Sequence, residues 1–299
     1  MNAQGRCVPY SGVFDGQGHS IENLVMDRTD HTEYKNAALF CSICDALVKN
    51  LVFRNTCTFS GVSASSLTVT VSSGNFTVTD VTNEANIIGK DLTSAFVSSL
   101  SGTHNQKLVF ENCTNRGQIT GKGGTIGGII GDVSNTVNAS ITFSDIKLDG
   151  NINGRGLDDH CYLGGLIGFI TSNTGLFISI DRIENNATLQ EESTNSFVGG
   201  IVGKISKNDE LNLTIINNKN QNNISVSAGL NIVGGVIGFV TENNNATIQI
   251  ENNTGFIRMT MENTQGIGNA GGYIGLFSGN KNTEVFMNEN KQIVDLELS

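Results

Sequence analysis

The sequence predicts an all-β fold, a parallel β-helix, and three observations lead to it. A glycine-flanked apolar phrase recurs along the chain: "GGIIGDV" at Gly127, "GGLIGFI" at Gly164, "GGIVGKI" at Gly199, "GGVIGFV" at Gly234 and "GGYIGLF" at Gly271. Between the phrases lie short period-2 segments separated by polar turns, as in "ATIQIEN" and "FIRMTM", with no helical spacing. Composition agrees. Aromatic residues make up 6% of the 299, with no Trp, one Pro and 36 Gly, the profile of a turn-rich β-protein built on Ile, Val, Gly and Asn.

Taking the first Gly of each phrase as position 0 gives a ruler for the repeat. Offsets 14 and 16 carry Ile141 and Phe143, Ile178 and Ile180, Leu213 and Ile215, Ile248 and Ile250, Val285 and Met287. Offset 25 carries Ile152, Leu189, Ile224, Met259 and Leu296. Upstream, "AALFCSI" at Ala37 fits with Leu51, Phe53 and Val62, and "SAFVSSL" at Ser94 fits with Leu108, Phe110 and Ile119. Seven three-stranded coils therefore start at 37, 94, 127, 164, 199, 234 and 271, and at about 4.8 Å per coil they make a core of about 34 Å.

In chain order, residues 1–36 read as an N-terminal cap and 37–299 as the repeats. The 57 residues from 37 to 94 are too many for one coil. The surplus around "LTVTVSSGNFTVTDV", Leu67 to Val81, consists of two alternating runs about Ser-Gly-Asn and reads as an inserted β-hairpin within about 63–93. Offset 18 carries Asn55, Asn112, Asp145, Arg182, Asn217, Asn252 and Glu289, a corner column suited to the left-handed conformation.

With these residues laid out, the chain resembles the GLUG-repeat family of surface proteins. Its "YSGVFDGQGHSIENLVM", followed by "AALF" and "ALVKNLVF", is similar to the segment that often precedes such repeats. The resemblance spans nearly the whole chain and implies a right-handed parallel β-helix in an adhesin-like or cell-surface protein. The first two units depart from it, with Ala, Ser and Cys41 in place of glycines.

Few residues suggest chemistry. Glycosidic cleavage needs two close carboxylates in a groove. The local candidate is "GLDDHCYLGG", with Asp158, Asp159 and His160, but the further elements of pectin-degrading β-helices are missing and adjacent acids in a turn ordinarily form a solvated corner. His19, His31, His104 and His160 are far apart, and His19 belongs to the "DGQGHSI" turn. No phosphate loop or calcium nonapeptide occurs, and the single "CSIC" lacks the second pair of a zinc site. No catalytic residue, metal or cofactor is therefore assigned. Cys57 and Cys113, near one corner of successive units, are a candidate disulfide in an oxidising compartment, the alternative being six free thiols. Eight Asn-x-Ser/Thr sequons are candidate glycosylation sites: Asn75, Asn112, Asn138, Asn186, Asn212, Asn223, Asn245 and Asn252.

A net charge of −10 with dispersed Lys and Arg excludes a nucleic-acid footprint, and no apolar run is long enough to span a bilayer; the N-terminus shows no signal peptide. Offset 5, charged in some units, marks the outer face of the first strand. By period-2 alternation, offset 3 shares that face, yet it is Phe40, Val97, Ile130, Ile167, Val202, Ile237 and Ile274. Either this apolar stripe is a contact surface for another protein or another copy, or the glycines form a bulge that turns offset 3 inward. The function expected is a non-catalytic structural or adhesive β-helix at a cell surface or in an extracellular assembly, with protein as the partner and glycans as a further candidate. A polysaccharide-binding or -degrading β-helix and an intracellular filament or scaffold subunit are the alternatives.

Overall fold

The structure, a computed structural model, describes residues 8–30, 35–155 and 160–298, and every regular element among them is a β-strand. All pairings between strands are parallel, so the chain winds as a β-helix of about eight turns. The Gly164 coil shows the plan. A lead-in strand Cys161–Gly164 bends at Gly165 and Leu166 into Ile167–Thr171; the next face is Phe177–Asp181, and Glu184–Asn185 with Thr188–Glu191 completes the turn. Each strand lies in register on its equivalent one coil away: Ile141, Ile178, Leu213, Ile248 and Val285 form one ladder. The ruler's inward columns at offsets 14, 16 and 25 are buried in every coil from 127 to 234.

Corners follow from residues that tolerate positive φ. Asn112, Asp145, Arg182, Asn217, Asn252 and Glu289 all have φ near +50°, as the corner reading of offset 18 requires. Two further left-handed columns flank the turn between the first and second faces, at Asn135, Ser172, Lys207 and Glu242 and at Asn138, Glu210, Asn245 and Asn282.

Four expectations are corrected. First, Leu67–Val81 is not a hairpin. Thr68–Asn83 pairs parallel with Phe40–Phe53 on one side and with Val97–Ser101 and Lys107–Glu111 on the other. The two alternating runs are two faces of a full coil that begins at Ser65, and Ser-Gly-Asn is its corner, with Gly74 at φ +71° and the Asn75 backbone N–H donating to Asp45 Oδ1. The 57-residue interval thus holds two short coils.

Second, the ruler slips in the Ala37 coil. Register places Ala46, Val48 and Phe59 in the columns expected for Leu51, Phe53 and Val62, because the corner inside Phe40–Phe53 is reduced to a bulge at Asp45, with φ +43°. In this coil the left-handed residue of the offset-18 column is Asn50, not Asn55. Residues 10–27, expected as a cap, themselves form a partial coil: Tyr10–Asp15 pairs with Ile43–Lys49 and Val25–Asp27 with Thr58–Ser60.

Third, the extra coil separates the proposed disulfide. Thr82 and Asn86 of that coil stand between Thr114 and Thr58, so Cys57 and Cys113 are two layers, or about 10 Å, apart, beyond disulfide reach. Both are free and buried. Cys41, in contrast, is disulfide-bonded, so the alternative of six free thiols also fails; Cys44 is free, and "CSIC" is not a bonded pair. Cys7 lies outside the described residues.

Fourth, the apolar stripe is not a surface. Val97, Ile130, Ile167, Val202 and Ile237 are fully buried, while Phe40 and Ile274 are half-buried and pack against the core. The cause is the bend at offsets 1 and 2, which breaks the alternation: Val236 and Ile237, although consecutive, both belong to the core. The double glycine permits this bend. A Cβ on Gly234 would stand 1.8 Å from the Ile237 carbonyl oxygen, and one on Gly235 would stand 2.2 Å from that of Gly272.

Buried polar ladders complete the core. The Asn173 side-chain amide donates to Asn208 Oδ1, that of Asn208 to Asn243 and that of Asn243 to Asn280, each at 2.9 Å. Each Oδ1 also accepts a backbone N–H from the preceding coil. A second ladder runs Asn218, Asn253, Asn290. Asn208→Ala leaves the Asn173 amide and backbone N–H without their shared acceptor, and chemical denaturation is expected to show a loss of about 1–3 kcal/mol. Ile237→Asp, which places an unpaired carboxylate in the core, is expected to cost more than about 4 kcal/mol and abolish cooperative unfolding without passing through a change in oligomeric state. Gly200→Ala drives a Cβ to 2.1 Å from the Gly235 carbonyl oxygen and is expected to destabilise by about 1–3 kcal/mol in the same assay.

Candidate functional site

The double-glycine bend also shapes the outer surface. Outward side chains from the strand before the bend meet those from the strand after it, so the corner is re-entrant, and the line along which the two columns pack together is termed the furrow. One wall is the column Leu92, Thr125, Tyr162, Phe197, Ile232, two residues before each phrase. The other is Ser99, Asp132, Phe169, Lys204, Phe239, Leu276 at offset 5. Offset 5 is outward, as the charges there imply, but the opposite wall narrows it.

The centre of the furrow is aromatic. Tyr162 stacks on Phe169 with ring centroids 4.4 Å apart and on Phe197 at 5.4 Å, and Phe197 stacks on Phe239 at 5.6 Å. His160 is exposed at the rim, its ring 6.2 Å from Phe197. The Lys204 ammonium lies 5.0 Å from the Tyr162 centroid, 4.8 Å from Phe197, 5.4 Å from Phe239 and 5.6 Å from Phe169, within cation–π range of all four rings. Burial holds its pKa below the ordinary lysine value against the opposing pull of Glu242. Glu242 itself pairs with Lys207, and no described residue forms a salt bridge with Lys204.

Towards the N-terminal coils the furrow turns polar. Asp132 is buried, accepts from Ser134 Oγ at 2.6 Å and faces Ser99 Oγ at 3.5 Å. Burial raises its carboxyl above the ordinary value, with the two serines opposing. Beneath the aromatic wall, Cys161 and Glu191 are buried together, and Glu191 accepts from the Ser193 backbone N–H at 2.7 Å. Burial, reinforced by the adjacent Glu191, lifts the thiol well above its usual range, so Cys161 is a protonated structural group and a poor nucleophile. Burial pushes Cys113 likewise up to about 12.

The residues singled out in the sequence are dispersed. His19 and His104 are exposed on other corners, and His31, Asp158 and Asp159 lie outside the described residues. Of the eight sequon asparagines, seven are exposed and Asn186 is half-buried, its amide donating to Asp149 at 2.9 Å. None lies on either furrow wall. The furrow cluster was missed because Tyr162 and Phe169 are apart in sequence and meet only across the bend. Its one legible signal was a column mixing Asp, Phe and Lys at a single offset. Among known proteins, no family model, curated sequence or solved structure matches the chain.

The raised Asp132 carboxyl sets a sign for pH dependence. The folded chain holds this proton more tightly than the unfolded chain, so the stabilisation is complete below the ordinary carboxylate pKa, about 3.9, and is lost as pH rises through the raised folded value. Asp132→Asn removes the linkage. The melting temperature of the variant minus that of wild type is expected to be larger at pH 8 than at pH 4; equal differences would contradict the assignment.

Proposed function

We propose that this protein is a non-catalytic structural or adhesive β-helix of a cell surface or extracellular assembly, and that the furrow is its contact face. The observation that carries the reading is the division of the outer surface. Exposed sequons occupy the faces away from the bend, whereas the half-exposed Tyr162, Phe169 and Phe239 rings and Lys204 occupy the face without sequons. Glycans on the former would leave the latter open. The polar ladders support a structural role, since these amides bond one another from coil to coil. The Cys41 disulfide accords with an oxidising compartment, and the resemblance to GLUG-repeat surface proteins points the same way.

Contact through the offset-3 stripe is not part of this reading, because those residues are core. The test is mass spectrometry of protein from its natural source, with and without glycosidase and reductant. Glycosidase is expected to lower the mass by whole N-glycans mapped to exposed sequons such as Asn75, Asn138 and Asn245, and Cys41 is expected to resist alkylation until reduced. Unmodified sequons together with a freely alkylated Cys41 would overturn the extracellular reading.

A further inference from the structure

We infer that the furrow binds a glycan end carrying one acidic sugar, with the sugar carboxylate held by Lys204 and pyranose C–H faces set against the exposed parts of the Tyr162 and Phe239 rings. The inference rests on the furrow being the contact face and names what it contacts.

Three features select this ligand. The lysine is a half-buried cation, and no described residue supplies a carboxylate within ion-pair distance. The surrounding rings lower the cost of holding the ammonium there, but each ring is neutral, and Glu242 acts on it only from beyond ion-pair distance while pairing with Lys207. An incoming carboxylate supplies that compensation in a partly desolvated corner, where a charge-assisted hydrogen bond is stronger than in open water.

The neighbouring groups suit the rest of a sugar. Rings along the wall offer apolar surface, whereas Asp132 and Ser134, two coils from Lys204, are buried and bonded to each other and lie outside the sugar contact. A peptide would more readily add along an open strand edge, but both furrow walls are already paired on each side within the stack. Net charge limits the number of acidic groups. At −10 the protein repels a polyanion, so a single carboxylate on an otherwise neutral chain fits better than a repeating polyuronate.

The experiment uses the full chain, calorimetric titration and three probes: sialyllactose, a glucuronate-capped trisaccharide and lactose as the neutral control. At least one acidic probe is expected to bind, at least tenfold more tightly than lactose, and to weaken with added salt. Lys204→Gln is expected to remove the preference for the acidic probe, Tyr162→Ala to weaken both acidic and neutral probes, and Phe177→Ala, on an exposed position of another face, to change neither. Melting curves of each variant establish that it is folded.

Absence of binding by both acidic probes, or an acidic preference that survives in folded Lys204→Gln, overturns the ligand assignment. Attachment of protein-coated beads to cells separates this from the broader reading. Loss of attachment in the Tyr162→Ala variant without any acidic-probe binding leaves the contact face standing and removes the glycan. Attachment equal to wild type in all folded furrow variants removes the contact face.

Discussion

In-register parallel stacking is the constraint on which the rest of this molecule depends. At about 4.8 Å per layer, every side chain has its own column as nearest neighbours above and below, so each column must be compatible with itself. Aliphatic columns meet this condition by packing. Asparagine meets it because one amide both donates and accepts, and the chain from Asn173 to Asn280 follows from that chemistry. Charge meets it only by alternating: Glu22, Arg54, Glu84, Arg116 and Asp149 form a zigzag of surface ion pairs at 3.5–3.9 Å. Such exposed pairs contribute little stability each, but a one-coil slip would set like charges together. Lys204 obeys the same rule, for its column neighbours are Phe169 and Phe239 rather than another cation.

The double-glycine bend converts this regular stack into one with an inside and a usable outside. It turns two consecutive apolar residues into the core, and it folds the surface so that side chains distant along the strand meet. In the coils from Gly127 onward the bend brings backbone closer than a Cβ permits, as at Gly127 and Gly128, where an added Cβ would lie 1.8 Å from a carbonyl oxygen. Ala37, Ala38, Ser65, Ser66, Ser94 and Ala95 occupy these columns in the early coils, and the lysine–aromatic cluster is confined to coils that carry the full Gly-Gly pair.

The sequence was most legible where a coil repeats without gaps. From Gly127 onward, period and inward columns could be read because the left-handed corners fall at constant offsets. Legibility failed in the short coils at Ala37 and Ser65, where shortened corners at Asp45 and Gly74 shift the columns, and two runs flanking Ser-Gly-Asn carry the same alternation whether they pair with each other or with neighbouring coils. The stripe was left open between surface and core for a related reason. Period-2 reasoning assumes a straight strand, and only the backbone shows that Gly235 and Val236 form a bend. The furrow was invisible because it joins residues across that bend.

A solenoid is an apt support for such a furrow because each coil contacts only its neighbours. The rings around Lys204 come from three successive coils that are already paired on both sides, so their positions are fixed before any ligand arrives. A rigid site loses little side-chain freedom on binding, which is the condition under which a few contacts give useful affinity. Nearest-neighbour coupling also means that the surface columns can vary while the Asn ladders and aliphatic columns beneath hold the layers in register. The mixture of Asp, Phe and Lys in one outward column, set over a core column that holds only aliphatic residues from Val97 to Ile274, is the pattern that separation of support from contact produces.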